Sequence, residues 1–246
     1  WEETEDDEDI KIESNTIDVV FHVDCKKISA DHAYDLFLSI KKIIPDIESI
    51  NNLAIHTIHG SSSGAGWERP KDEIYLSRRA KLTIRVPSEY IEVIKELDSK
   101  TLSVGKYSVK LSKPNIKKLS ISDTLFCRYL IMDINENEDK FLKSIKIDIE
   151  ELDIHVKKMM CGKSYNVRTP ETTYKTCTLL ITEMSPQDSI KLQETGLGIG
   201  KLFGCGIFLP YKSIAAVAVA KEKDEWGVIM AIDFDGKEVE TTQMGY

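Results

Sequence analysis

Five glycines punctuate one short run, Gly196-Leu197-Gly198-Ile199-Gly200-Lys201-Leu202-Phe203-Gly204-Cys205-Gly206, which leads into the apolar Ile207-Phe208-Leu209. Glycine at alternate positions removes every Cβ on one side of an extended loop, so peptide N–H groups can come close to an anion. Lys201 adds a cation from within the run. A phosphate chain is the ligand class this suits. The run ends in a strand-like stretch and not in a helix, so it is not the dinucleotide-binding fingerprint. The same glycines would also serve tight turns and close packing, and both readings stay open on the sequence.

Proton chemistry has a separate source in the five histidines, because an imidazole titrates near neutral pH and offers either form. His32 falls at the first turn of a helix that Ser29 or Asp31 can cap, where the helix dipole and free N–H groups favour a bound phosphate and a neutral ring. His56 sits on the following strand. His59 is three positions further on, so on a regular strand the two point to opposite faces, and His56 is preferred because it lies within the strand and not at its end. His22 and His155 read as ordinary sheet histidines.

The elements that must hold these groups follow one order twice. Residues 16–24 alternate, with Ile17, Val19, Phe21 and Val23 on one side. Ala33, Leu36, Phe37, Ile40, Ile43 and Ile44 then recur at helical spacing up to Pro45. Strands are expected over Leu53 to His59 and Ala80 to Val86 with a flexible loop between, then a helix to about Leu97, then strands 101–104 and 107–111. After a linker at 114–123, a strand (124–133), a charged helix (138–152), strands at 155–160 and 174–183 flanking a basic loop, and a helix opened by Ser185-Pro186 repeat the pattern. Two successive split β-α-β units imply an α+β fold of tandem ferredoxin-like (βαββαβ) domains with a C-terminal glycine-rich loop. The divisions are an acidic disordered tail at 1–15, a first domain at 16–113, a second at 124–212 and an appended hairpin at 213–246.

Composition narrows the function classes. The chain has 246 residues and 41% hydrophobic content, enough for real cores. No apolar run reaches the roughly 20 residues of a membrane span and no signal peptide opens the chain, so an intracellular, cytoplasmic location is expected. Cys25, Cys127, Cys161, Cys177 and Cys205 are scattered without a Cys-x-x-Cys pair, which suggests buried thiols and neither a zinc site nor a disulfide framework. No metal or other cofactor is expected. The formal charge of −8 is concentrated in Glu2, Glu3, Glu5, Asp6, Asp7, Glu8 and Asp9; without those seven it falls from −8 to −1. Local cationic clusters can then dominate, and the sum does not argue against an RNA partner.

The order of several motifs resembles a known family, the CRISPR-associated endoribonucleases that cut precursor CRISPR RNA within the repeat-associated RNA-binding superfamily. Gly196-Leu197-Gly198, five residues, then Gly204-Cys205-Gly206-Ile207-Phe208-Leu209-Pro210 matches that family's C-terminal glycine-rich loop. Ala30-Asp31-His32-Ala33-Tyr34, Ile55-His56-Thr57-Ile58-His59-Gly60 and Leu192-Gln193-Glu194-Thr195-Gly196-Leu197-Gly198 resemble its myxococcal subtype, over about Ile17 to Lys212.

The resemblance implies a metal-independent cut in which the ribose 2′-OH attacks the adjacent phosphate, leaving a 2′,3′-cyclic phosphate and a 5′-OH. It makes His32 and His56 the candidate acid–base pair. CRISPR repeat RNA is the expected partner, with other effector subunits as further possible partners and no membrane. Arg78 and Arg79 are candidates for charge neutralisation at the cut, with Lys81 beside them a candidate RNA contact. Lys157, Lys158, Lys163, Arg168 and Lys175, around Tyr165 in the basic loop, are candidates for gripping RNA, together with Gly196, Gly198, Lys201, Gly204 and Gly206. The alternative is a non-catalytic RNA-binding structural subunit of an effector complex.

Overall fold

Alternation from Thr16 onward yields β1 (Thr16–Asp24), which buries Ile17, Val19, Phe21 and Val23. The structure is a computed structural model and describes residues 12–60, 72–133, 137–211 and 230–233. After β1 come β2 (Lys27–Ser29), α1 (Ala33–Lys41), β3 (Ala54–Ile55), β4 (Glu73–Tyr75), β5 (Lys81–Pro87), α2 (Ile91–Lys95), β6 (Thr101–Val104) and β7 (Tyr107–Lys118). An antiparallel sheet forms in the order β3-β5-β1-β7-β6, while β2 and β4 pair with each other. Leu36, Phe37 and Ile40 lie one helical turn apart on α1, so a single face meets the sheet and joins Val19, Phe21, Leu82 and Ile84 in one core.

A second antiparallel sheet follows from β8 (Leu125–Ile131), α3 (Glu138–Glu151), β9 (Lys158–Arg168), β10 (Thr173–Thr182), α4 (Pro186–Thr195), β11 (Phe208–Pro210) and β12 (Met230–Asp233), in the order β11-β8-β10-β9-β12. Asn137 caps α3 by accepting the Lys140 N–H at 2.9 Å. Ser185 caps α4 by accepting the Asp188 N–H at 3.0 Å, with Pro186 in the first turn as the sequence predicts. Phe141, Leu142, Ile145 and Ile149 of α3 pack on Leu125, Cys127, Leu179 and Ile181 of the sheet. Both helices cover one face. The opposite face of this sheet carries Tyr129, Tyr165 and Val167.

Three elements differ from expectation for identifiable reasons. The strand expected over Leu53 to His59 ends at Ile55, because after His56 N–H bonds Thr83 O the next available N–H, that of Ile58, goes to a side chain, the His32 ring. The linker expected at 114–123 is partly strand, as β7 continues to Lys118. Pro114 is tolerated because Lys113 and Pro114 stand opposite Phe21 at a bulge, where the ladder skips, and Lys113 takes a positive φ of 53°. The basic loop expected between 160 and 174 is a long hairpin, β9 and β10 joined through 169–172. Most of the acidic tail, the loop at 61–71 and nearly all of the appended hairpin lie outside the described residues. Within the last, β12 pairs with β9.

Candidate functional site

His32 is the cap residue of α1, and its ring is tied to main chain on both sides. Nδ1 lies 2.8 Å from Ser29 O, and Nε2 accepts the Ile58 N–H at 2.9 Å. A ring whose Nε2 accepts an N–H and whose Nδ1 faces a carbonyl is the neutral Nδ1–H form. The side chain is 2% exposed. His32 therefore fixes the segment 56–59 in space. It stands at the start of the helix, as the sequence places it, and both ring nitrogens are engaged by carbonyl and amide groups of the fold.

A cleft of about 380 Å³ opens between the two sheets. The first half contributes His56, Thr57 and His59. The helix-free face of the second sheet contributes Arg128, Tyr129, Lys163, Tyr165 and Thr178, above an apolar floor that includes Ile207 and Leu209. His56 and His59 thus share one cavity. The parity argument that separated them fails because β3 has already ended, and Ile58 turns inward to full burial between them. His59 is exposed, with its Nε2 3.3 Å from Thr57 Oγ1.

Paired bulges bring the cations to this cleft. On β10, Cys177 aligns with Leu130 and Leu179 with Cys127, so Thr178 alone stands opposite Arg128 and Tyr129. On the other side Cys177 aligns with Ser164 and Leu179 with Cys161, so Thr178 also stands opposite Gly162 and Lys163. Each neighbouring strand carries one residue too many at the same level, which re-aims its side chains. On β8 this puts Arg128 and Tyr129, adjacent in sequence, on the same face, while Leu125, Cys127 and Leu130 remain in the core.

Beneath the cleft lies a buried ion pair. Arg85 is 1% exposed and bonds Asp18 through Nε–Oδ1 at 2.8 Å and Nη2–Oδ2 at 3.1 Å. Its Nη1 donates to Gln193 O at 2.9 Å and Phe208 O at 2.8 Å, joining the first sheet to α4 and β11. Burial alone would raise the Asp18 carboxyl, but the Arg85 charge and hydrogen bonds outweigh it and hold it below the ordinary value. His56 is pushed down to about 4, by burial first and then by the Arg85 charge, with Asp18 opposing. It is neutral at physiological pH. His56 Nε2 and Thr178 Oγ1 are buried without a hydrogen-bond partner.

The glycine run is a packed turn over most of its length. The N–H groups of Gly196, Leu197, Cys205 and Gly206 bond the carbonyls of Leu192, Gly206, Gly200 and Tyr129. A Cβ on Gly206 would lie 1.9 Å from Leu197 O, and one on Gly204 would lie 2.6 Å from Thr57 Cγ2. These glycines allow close approach of protein to protein. Gly198 faces open space, next to an exposed Ile199. Lys201, expected to meet a phosphate, is half-buried and donates to Thr195 O at 2.8 Å, which caps the carbonyl end of α4. Burial lowers its pKa.

Of the other candidate cations, Lys163 alone lines the cleft. Arg78, Arg79 and Lys81 are exposed around the turn into β5 and do not line it. Lys157 is exposed ahead of β9, Lys158 pairs with Glu183 at 2.6 Å and Lys175 is half-buried on β10. Arg168, at the far end of β9, stands 3.7 Å from Asp31 beside α1. Tyr34 packs against Phe37 and Phe203, and Tyr174 stacks on Phe203. Sequence reasoning missed Arg128, Tyr129 and Thr178, although an Arg-Tyr pair inside the apolar β8 was a visible irregularity. Arg85 was missed too, although a lone arginine in Ile84-Arg85-Val86 signals a buried partner. Among the described residues no helix is long and apolar enough to cross a membrane.

Comparison with known proteins supplies the remaining finding. A family model described as "Cas6 Crispr" matches residues 17–213. A protein of Myxococcus xanthus (strain DK1622) named "CRISPR-associated endonuclease Cas6" is 24% identical over 194 residues, covering 79% of this chain and 81% of that protein. A solved structure titled "CRISPR associated protein Cas6" aligns with a TM-score of 0.57 at 15% identity, over 80% of this chain and 99% of its own. Another, titled "An RAMP protein binding different RNA substrates", aligns with a TM-score of 0.57 at 13% identity over the same shares. At such identities the two structures speak for the mixed α/β fold with antiparallel sheets.

Proposed function

We propose, since this chain belongs to the Cas6 CRISPR family, that it is an endoribonuclease which binds CRISPR repeat RNA and cuts precursor crRNA without a metal ion. The strand orders β3-β5-β1-β7-β6 and β11-β8-β10-β9 support reading the two sheets as tandem ferredoxin-like units. The observation that carries the proposal is the meeting of His56 and His59 with Arg128 and Lys163 in one cleft.

In this reaction the ribose 2′-oxygen bonds to the adjacent phosphorus and the P–O5′ bond breaks, giving a 2′,3′-cyclic phosphate and a 5′-OH. The proton leaves O2′ for a base, and a second proton reaches O5′ from an acid. His59, exposed at the cleft, is the proton carrier with access to substrate. His56, kept neutral by its surroundings, is suited to hydrogen bonding and not to carrying charge. Lys163 and Arg128 supply positive charge for the phosphorane. His32 acts through the Ile58 amide as a positioning residue.

One observation favours the second reading, an RNA-holding subunit that does not cut: His32 is bonded to main chain at both ring nitrogens. Labelled repeat RNA incubated in EDTA separates the two. Cutting by the wild type, lost in His59→Ala with RNA still bound, supports the nuclease; binding without cutting by the wild type supports the subunit.

A further inference from the structure

The cleft is built unlike a surface that meets only phosphates. Tyr129 and Tyr165 stand edge to face at its wall, their ring centroids 5.7 Å apart and their planes at 82°. The floor is apolar. Into this setting the fold places two buried polar atoms with no partner, Thr178 Oγ1 and His56 Nε2. Folds keep few such atoms because each forfeits the hydrogen bond it had in water. Both belong to residues that line one cavity, and each is covered by its neighbours, so a guest that displaces a neighbouring side chain would complete them. A hydroxyl and a neutral imidazole nitrogen can each donate or accept according to rotamer and tautomer. A phosphate offers only acceptors, whereas the edge of a nucleobase offers both kinds of group on a flat apolar plate.

Single-stranded RNA is read in this way, by splaying a base from its neighbours onto an aromatic ring and bonding its edge. The volume of about 380 Å³ is at the small end of ligand clefts and suits one base with part of its sugar. Lys163 lies beside Tyr165 on β9, where a flanking phosphate of the same nucleotide would fall.

We propose that the cleft receives one unstacked nucleobase of the bound RNA, its face against Tyr165 and its polar edge against Thr178 and His56. The proposal rests on the RNA-binding reading above. Tyr165, half-buried and paired with Thr176 near the bulge, is the ring that turns to admit the base. The bulges opposite Thr178 are then the device that makes the pocket, since they set Tyr129 and Lys163 at the level of the threonine hydroxyl.

The test begins with single-stranded RNA selected by the full chain from a random-sequence pool, followed by replacement of each base in turn with an abasic residue. One position is expected at which the abasic residue weakens binding about tenfold, and 2-aminopurine at that position should change its fluorescence on binding. Thr178→Val and Tyr165→Ala should abolish the penalty while leaving affinity for the abasic RNA within about twofold, and Tyr165→Phe should keep it. Abasic residues tolerated at every position, with RNA still bound, would overturn the base pocket and leave RNA binding intact. A pool from which nothing is retained would overturn both.

Discussion

Arg85 holds Asp18 through two hydrogen bonds of 2.8 and 3.1 Å inside the protein, while the same guanidinium reaches the main-chain carbonyls of Gln193 and Phe208. Every interaction is charge-assisted, and together they span the two sheets. Arg85→Ala strands the Asp18 carboxylate and two carbonyls, and should cost about 3–5 kcal/mol. Urea unfolding measures the loss. Pairing Arg85→Met with Asp18→Asn should recover part of it, and a double variant no more stable than Arg85→Ala would contradict the pairing.

Acid should act on this region in two stages. His56 is held at about 4 when folded and titrates near 6.5 when unfolded, so between those values the unfolded chain binds the extra proton. Stability therefore falls as pH drops from about 6.5 to about 4, by on the order of 3 kcal/mol in all. Asp18, lowered in the fold, contributes stability that is complete above its unfolded value of about 3.9 and is lost as pH falls further through its folded value. Denaturant midpoints at successive pH values should show both, and His56→Gln should erase only the upper stage.

The glycines should separate sharply under substitution. Gly206→Ala places a Cβ 1.9 Å from Leu197 O at a φ of +66°, and should destabilise by about 4 kcal/mol or more. Gly198→Ala meets open space at φ +65° and should cost only the conformational strain, about 1–2 kcal/mol. Thermal melts of the two variants decide the point; equal losses would contradict the packed-turn description.

Histidines should divide by role. His59→Ala should lower cleavage by about 10²–10⁴-fold with the melting temperature unchanged. His32→Ala should destabilise by about 1–3 kcal/mol, since the buried Ile58 N–H loses its acceptor. Single-turnover cleavage beside a melt for each variant gives both readings.

Lys163 and Lys158 predict a contrast in salt dependence. Lys163→Ala should weaken RNA binding and reduce the slope of log affinity against log salt by about 1. Lys158, already paired with Glu183, should change the slope much less when replaced. Filter binding at several salt concentrations reads both slopes.

Elements that announce themselves by periodicity or capping were legible in the sequence. The alternation in 16–24 and the Ser185-Pro186 start are examples, since the cause of each is local. The site was legible only in part. That His56 and His59 share a cavity depends on a strand ending after two residues, which in turn depends on where the His32 ring points. Arg128 and Lys163 reach the cleft through bulges, and a bulge is a relation between strands that neither strand encodes alone. Lys201 looked like a ligand for phosphate because charge shows in a sequence, but its engagement with Thr195 O does not.

Gly204 presses against Thr57, so closely that a methyl group would not fit between them. The turn at 196–206 and the histidine segment at 56–59 are therefore a single mould cast in two pieces. A bulkier residue at either 57 or 204 would push the two pieces apart, so the shape of the histidine segment is set partly by a residue about 150 positions further along the chain.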